Sequence, residues 1–320
     1  MRVMQRILLS ICLGAFALAV HAQAFPSRVI KVVVPQPPGG GFDAVARTMA
    51  EPFSQQLGQA VIVENRPGAG TIVGTEAVAK ADADGYTLLL GASANLALNP
   101  GLYKKLPYDP KDFKVVGLAA TFSYTLVARN DLPFKSLREI VDHARANPGK
   151  LTYASGGNGT GQHIAAAVTF HLAGVDITHV PYKGAQAAYQ DLIPGRVDMF
   201  FDNSATARSH IQNGRVKPIA VSAPQRISYH PDVPTVREAG VDFEQVTWVG
   251  YFAHANTPAP VLARLRDAFA KAMATPEVPA ALEKRGAFPM RVSASQAEAL
   301  VASDIEKWTK LIRSAGISAD

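Results

Sequence analysis

The sequence predicts an α/β protein of two lobes with a ligand cleft between them, and three observations carry that prediction. Short apolar runs bounded by Pro, Gly and Asn alternate with stretches of helical length, as in parallel strands joined by crossover helices. Two longer extended runs bracket the middle of the chain and exceed the usual five or six residues of a strand. A length of 320 residues, with 48% apolar and 18% charged residues, is more than one core usually organises.

Arg2 and Arg6, the apolar stretch from Ile7 to Val20 and the Ala22-Gln23-Ala24 box have the three-part layout of a cleavable export signal. The apolar stretch is too short to span a bilayer comfortably. Cleavage after Ala24 would remove Cys12, the only cysteine, and with it disulfide, thiol and Cys-ligated metal chemistry. The expectation is an exported, soluble protein. A formal charge of +6 from singly scattered bases gives no nucleic-acid footprint.

In the first lobe, Val29–Val34, Ala60–Val63 and Tyr86–Leu90 read as buried parallel strands, with Asp43–Leu57 and Thr71–Lys80 as crossover helices. A second block follows Arg129. Its helices are Ser136–Ala146, Thr160–Leu172, Ala185–Ile193 and Ser204–Asn213; its strands are Leu151–Ala154, Thr178–Val180, Val197–Phe201 and Pro218–Val221. The long runs Phe113–Ala128 and Gln245–Ala253 read as crossings between lobes, once out and once back. Helices at Ala259–Ala274, Pro276–Lys284 and Ser295–Ala315 close the first lobe. The division expected is residues 25–123 with 247–320 for lobe 1, and 124–246 for lobe 2. Trp248 is expected in hinge packing and Trp308 in the core.

Three glycine-rich turns stand at strand-to-helix junctions: Pro35 to Asp43, Asn65 to Thr71, and Ser155 to Gly161. A helix N-terminus carries about half a positive charge and unpaired N–H donors, so it suits an anion. In open α/β sheets ligands gather at the carboxyl ends of strands, where these turns lie. None of them closes with the Lys-Ser or Lys-Thr of a phosphate-binding loop. Gly68, Gly70 and Gly74 have a loose dinucleotide-like spacing, yet Tyr86–Leu90 runs into Gly91 with no acid for a ribose. Ser155, His163 and Asp202 can be drawn as a triad, but Ser155 lies in no G-x-S-x-G elbow, and ligand-orienting hydrogen bonds or caps are their more ordinary roles. The other histidines are dispersed without metal-ligand spacing, so neither metal nor cofactor is expected. In His179 to Gly184, Tyr182 and Lys183 read equally as cleft-rim residues or as turn packing beside a solvated lysine.

At these same residues the sequence resembles the Bug family, the substrate-binding proteins of tripartite tricarboxylate transporters. The matching stretches are Val32-Val33-Val34-Pro35, Pro37 to Gly41 with Asp43, Val63 to Gly70, Asp84 to Leu88, Ser155 to Thr160, His179 to Gly184 and Pro231 to Thr235. The resemblance covers essentially the whole chain after residue 24. It implies type II periplasmic-binding-protein-like lobes that close on a small carboxylate, without an enzyme's chemistry. Carried onto this chain, the carboxylate grip falls to Gly40, Gly41, the Phe42 and Asp43 backbone, Ser155, Asn158, Gly159 and Thr160. Ala69, Gly70, Ser93 and Asp202 would line the remainder, and His163 joins them from its place one turn inside its helix.

Two positions depart from the family pattern. Gln36 stands where an aromatic is usual, and Phe42 replaces a Thr or Ser. Either Phe42 puts a ring at the pocket mouth and favours flatter, more apolar acids, or it turns onto its own lobe. The ligand class expected is a di- or tricarboxylate, an acidic amino acid or an aromatic acid. The partners implied are membrane permease subunits, with the receptor itself a monomer. The rival readings are a sensor of the same fold feeding a signalling partner and, behind it, a secreted hydrolase.

Overall fold

The computed structural model describes residues 25–228 and 230–319; the export signal expected at residues 1–24 lies outside them. The first sheet begins with β1 (Ile30–Val34), whose IKVVV sequence is almost wholly buried. It pairs in parallel with β2 (Val61–Asn65) and with β3 (Thr87–Ala92). Between β1 and β2 runs α1 (Gly41–Leu57), with Phe42, Val45, Ala46, Met49, Phe53 and Leu57 facing the core at helical spacing. Helix α2 (Ile72–Ala79) connects β2 to β3.

The fold departs from a wholly parallel sheet at the long strands. β4 (Phe113–Ala128) is one continuous strand of 16 residues. Its first part, to Ser123, pairs antiparallel with β9 (Val246–His254), which also pairs antiparallel with β3. From Tyr124 onward β4 pairs antiparallel with β7 (Met199–Asn203) and β8 (Lys217–Val221) in the second sheet. There β5 (Thr152–Ser155) lies parallel to β7 and to β6 (Thr178–Pro181). The result is a mixed sheet in the order β2-β1-β3-β9-β4-β7-β5-β6. Only β4 belongs to both of its halves. β9 lies wholly in the first, and the chain returns at Gln245, whose N–H donates to Ser222 O at 2.8 Å.

In the second half, α4 (Leu137–Ala146), α5 (Gly161–Leu172), α6 (Ala185–Leu192) and α7 (Ser204–Gln212) fall where the pattern places helices. Ser136 and Thr160, read from sequence as first helical residues, are instead the side-chain N-caps of α4 and α5. β7 starts two residues later than Val197, because Asp198 is turned aside to bind Arg129 and Thr152. Helices α8 (Ala259–Ala274), α9 (Glu277–Lys284) and α10 (Ala294–Ser314) return to the first half, α8 packing on α1. The pattern did not foretell the π-helical turn Ala94–Leu98, the short helix α3 that follows it at Asn99–Leu102, or the two-residue strand Phe288–Pro289. Trp308 is core, as expected, and Trp248 is buried with its indole N–H on Asp304 at 2.7 Å. No helix among the described residues is long and apolar enough to cross a membrane.

Candidate functional site

The first glycine turn is braced from behind by Asp43. Its carboxylate accepts from Gly39 N at 2.9 Å, from Asn65 Nδ2 at 3.0 Å and from Arg47 Nε at 3.0 Å. Burial would raise its pKa, but the Arg47, Gly39 and Asn65 donors outweigh that and hold it below the usual carboxylate range. Asn65 also donates to Gln36 O at 3.1 Å, so β2 ties the turn down. Gly40 caps α1 with no side-chain acceptor, so no capping side chain takes up the first-turn N–H groups of Gly41, Phe42 and Asp43. Gln36 is half-buried, its side-chain oxygen beside Gly40. The Phe42 ring is not at a pocket mouth. It is buried in the first-half core and stacks on Phe122 with centroids 6.3 Å apart.

The second turn holds three consecutive residues in the left-handed region: Ala69 (φ 43°), Gly70 (φ 59°) and Thr71 (φ 84°). For a β-branched residue this is a strained conformation, costing on the order of 1–3 kcal/mol, and it persists only where the surroundings impose it. Here Asn99 Nδ2 donates to Gly70 O and to Thr71 Oγ1, both at 3.3 Å, and Thr75 Oγ1 donates to Thr71 O at 2.9 Å. Ala69 is exposed. Ser93 is buried, its hydroxyl accepting from Trp248 N at 3.1 Å, so it secures β9.

The third turn is supported by side chains already committed to it. Ser155 Oγ lies 2.7 Å from His179 Nε2 and accepts from Gly157 N at 3.1 Å. Thr160 Oγ1 donates to Gly157 O at 2.8 Å and accepts from His163 N at 3.3 Å. Gly159 N donates to His163 Nδ1 at 3.4 Å. His163 stacks on His179 with centroids 4.1 Å apart, and Tyr153 stacks on His179 with centroids 4.9 Å apart. Burial, with His179 beside it, lowers His163 to about 3, and burial lowers His179 to about 4, so both rings are neutral at ordinary pH. Asp202 is fully buried behind this turn. It accepts from Gln162 Nε2 at 2.6 Å, Tyr189 Oη at 2.9 Å and its neighbour Asn203 N at 2.7 Å, while burial pushes it up to about 7. Gln162 passes the support on, its Oε1 accepting from Gly156 N at 2.9 Å.

Ser155, His163 and Asp202 are therefore not linked as nucleophile, base and orienter. Each binds a different partner, and Asp202 braces the turn from the second layer where a lining residue was expected. Tyr182 Oη donates to Asp191 at 2.9 Å and is turn packing, while Lys183 is exposed. Among the described residues no group of three or more His, Cys, Asp or Glu is placed to hold a metal.

The second and third turns meet, and the first lies against the end of β7. The position a Cβ would take on Gly41 lies 3.4 Å from Asn203 Nδ2, at the end of β7 in the other half of the sheet. On Gly70 it lies 2.8 Å from Asn158 O, and on Gly159 3.1 Å from Tyr103 Oη. Asn203, Tyr103 and Asn99 stand at these contacts and were not singled out from sequence. Two carried a signal: Asn203 follows a strand in N-cap position, and Asn99-Pro100 is a turn dipeptide.

Residues 45–317 match the family model described as the tripartite tricarboxylate transporter family receptor. A curated relative from Pseudomonas sp. (strain P51), described as a UPF0065 protein in the tcbD-tcbE intergenic region, is 41% identical over 96% of this chain and 93% of its own length. Among solved structures, MatC from Rhodopseudomonas palustris with bound malate is 33% identical with a TM-score of 0.83, covering 90% of this chain and 100% of its own. The R. palustris protein Rpa4515 with adipate is 31% identical with a TM-score of 0.84, covering 92% and 99%. By sequence and by fold alike, the chain belongs to the tripartite tricarboxylate transporter receptor family.

Proposed function

We propose that this protein is a periplasmic receptor that captures one small organic carboxylate between its lobes and delivers it to a tripartite tricarboxylate-type permease. The observation that carries the reading is the closeness of glycine turns to the opposite half of the sheet, Gly70 against Asn158 and Gly41 against Asn203, with no side-chain cap on the N-terminus of α1. Family membership and the malate and adipate held by its structural relatives support the ligand class.

The grip falls to the N–H groups of Gly41, Phe42 and Asp43, with Gln36 and Gly40 at the rim, Ala69 and Gly70 on one side and Asn158, Gly159 and Thr160 on the other. Ser155, His163, Asp202 and Ser93 act from behind by holding these turns in place. The hinge lies within β4 and at Gln245, close to the division of 25–123 with 247–320 against 124–246. Closure excludes bulk water and strengthens each N–H···carboxylate contact. Export would follow from the signal read at residues 1–24.

The test is thermal unfolding of the purified protein against a panel of di- and tricarboxylates, with each acid assayed for conversion. A receptor gains about 2.7 kcal/mol at one hundred times Kd and returns the acid unchanged. Conversion of a bound acid would promote the hydrolase reading, and indifference to every acid would remove the carboxylate.

A further inference from the structure

The chain passes between the two halves of the sheet within β4 and again at Gln245, and a further link between them is not covalent. After α9, residues 285–290 run along the first-half part of β4. Phe288 and Pro289 pair with Thr121 and Ala120, and Met290 N donates to Ala119 O at 3.0 Å. Two residues of this segment nevertheless touch the second half. Phe288 packs against a small cluster of Val221, Ala223, Ile227 and Val233. Gly286 lies on Ala205 in the first turn of α7: the position a Cβ would take on it is 2.2 Å from Ala205 Cβ. Two residues earlier, Asn203 meets the first glycine turn at Gly41. The start of α7 is thus held between two segments of the first half.

Gly286 also ends α9. Its φ is 72°, Gly286 N donates to Glu283 O at 2.8 Å, and Ala287 N donates to Leu282 O at 3.0 Å. This is the left-handed turn with which helices commonly end. It accounts for the dihedral but not for the neighbour. Gly58 ends α1 with φ 73° and nothing within 4 Å of its Cβ position. Packing beside the segment is not solid either. A cavity of about 330 Å³ is lined by Ser228 of the second half and by Glu283, Gly286, Ala287 and Phe288 of the first. Protein cores leave few such voids, so a contact made at two points beside one can part without tearing a core.

We propose that residues 285–290 are a strap that holds the two halves in the arrangement seen here, setting the balance between open and closed forms from outside the ligand site. A ligand gripped by both halves binds the closed form, and its apparent affinity scales with the fraction of chains already in that form. The strap therefore tunes affinity without touching the acid. That consequence rests on the carboxylate-receptor reading above, whereas the effect of the strap on molecular shape does not.

The experiment pairs X-ray scattering of the purified protein without added acid with calorimetric titration by malate, adipate and citrate. In Gly286→Ala the added methyl group cannot share space with Ala205 Cβ. The radius of gyration should rise above the native value, and affinity for whichever of the acids binds should fall at least about tenfold. Gly58→Ala carries the same helix-end strain without a neighbour, so it should lose stability in urea and change neither readout. Phe288→Ala removes a contact instead of adding one. It should also raise the radius of gyration, and it decides the matter if Gly286→Ala does not fold. Native scattering from the folded variants, an expanded variant that keeps native affinity, or an equal effect of Gly58→Ala would each overturn the strap while leaving the receptor standing. Binding of none of the acids by the native chain would count against the receptor reading, and scattering alone would then decide on the strap.

Discussion

At Gly40 the backbone is extended (φ −80°, ψ 173°), and an added Cβ would meet nothing nearer than Pro37 O at 3.7 Å. Gly40→Val therefore changes the approach to the α1 N-terminus without straining the turn. The melting temperature should move by no more than a degree or two while carboxylate affinity, read by calorimetry, falls more than about tenfold. Unchanged affinity in that variant would detach the turn from the ligand. Phe42 behaves oppositely. Its ring is core, stacked on Phe122, so Phe42→Thr should cost about 3 kcal/mol in denaturant unfolding and leave the ranking of ligands unaltered. A shift toward compact polyacids in the thermal panel would mean the ring reaches the ligand after all. The sequence shows why these two glycine-proximal residues differ only in part. A glycine run before a helix is legible as an N–H cradle, but which way a buried ring turns is decided by Phe122, 80 residues away.

The α5 turn has its own support, built from neutral and buried groups. The link runs from Asp202 through Gln162 to Gly156 N. Gln162→Leu keeps the volume but breaks both bonds, and should weaken ligand binding about tenfold with a stability loss of about 1–3 kcal/mol. An affinity unchanged by calorimetry would make the link structural only. The stacked histidines give this element an acid limit. Their folded pKa values, about 3 for His163 and about 4 for His179, lie below the 6.5 of an ordinary histidine. Their contribution is therefore complete above pH 6.5 and is lost as pH falls toward 4. Asp202 is raised to about 7 from 3.8, so its contribution is present at low pH and is lost as pH rises through 7. Between pH 4 and 6 the two histidines outweigh the one carboxyl, and stability should fall by about 1 kcal/mol per pH unit of acidification. Urea unfolding at pH 4, 5 and 6 checks the slope, and a flat profile would contradict the neutral pair. Sequence reasoning placed Ser155, His163 and Asp202 near one another but not their partners. His179 and Gln162 complete the pattern through β6 and the first turn of α5, and pairings of that kind depend on sheet register.

On the scale of the whole molecule, the alternation of strand and helix was enough to specify two α/β halves and the position of nearly every element. The antiparallel setting of β4 and β9 was not, because strand direction leaves no mark on an apolar run. Nor was it legible that β9 stays in the first half, since Gln245 makes the crossing in a single residue. The proposed cleft rests on that architecture: strands of two halves, each followed by a helix, lie on either side of β4 in the sheet. The account's central claim is that peptide N–H groups at opposed helix starts hold the acid. Amide hydrogen exchange, with and without the acid that stabilises the protein most in the thermal panel, tests it directly. The account predicts protection concentrated in residues 39–43, 69–71 and 156–162. Protection confined to one half of the sheet, or absent from all three turns while the acid is bound, would contradict it.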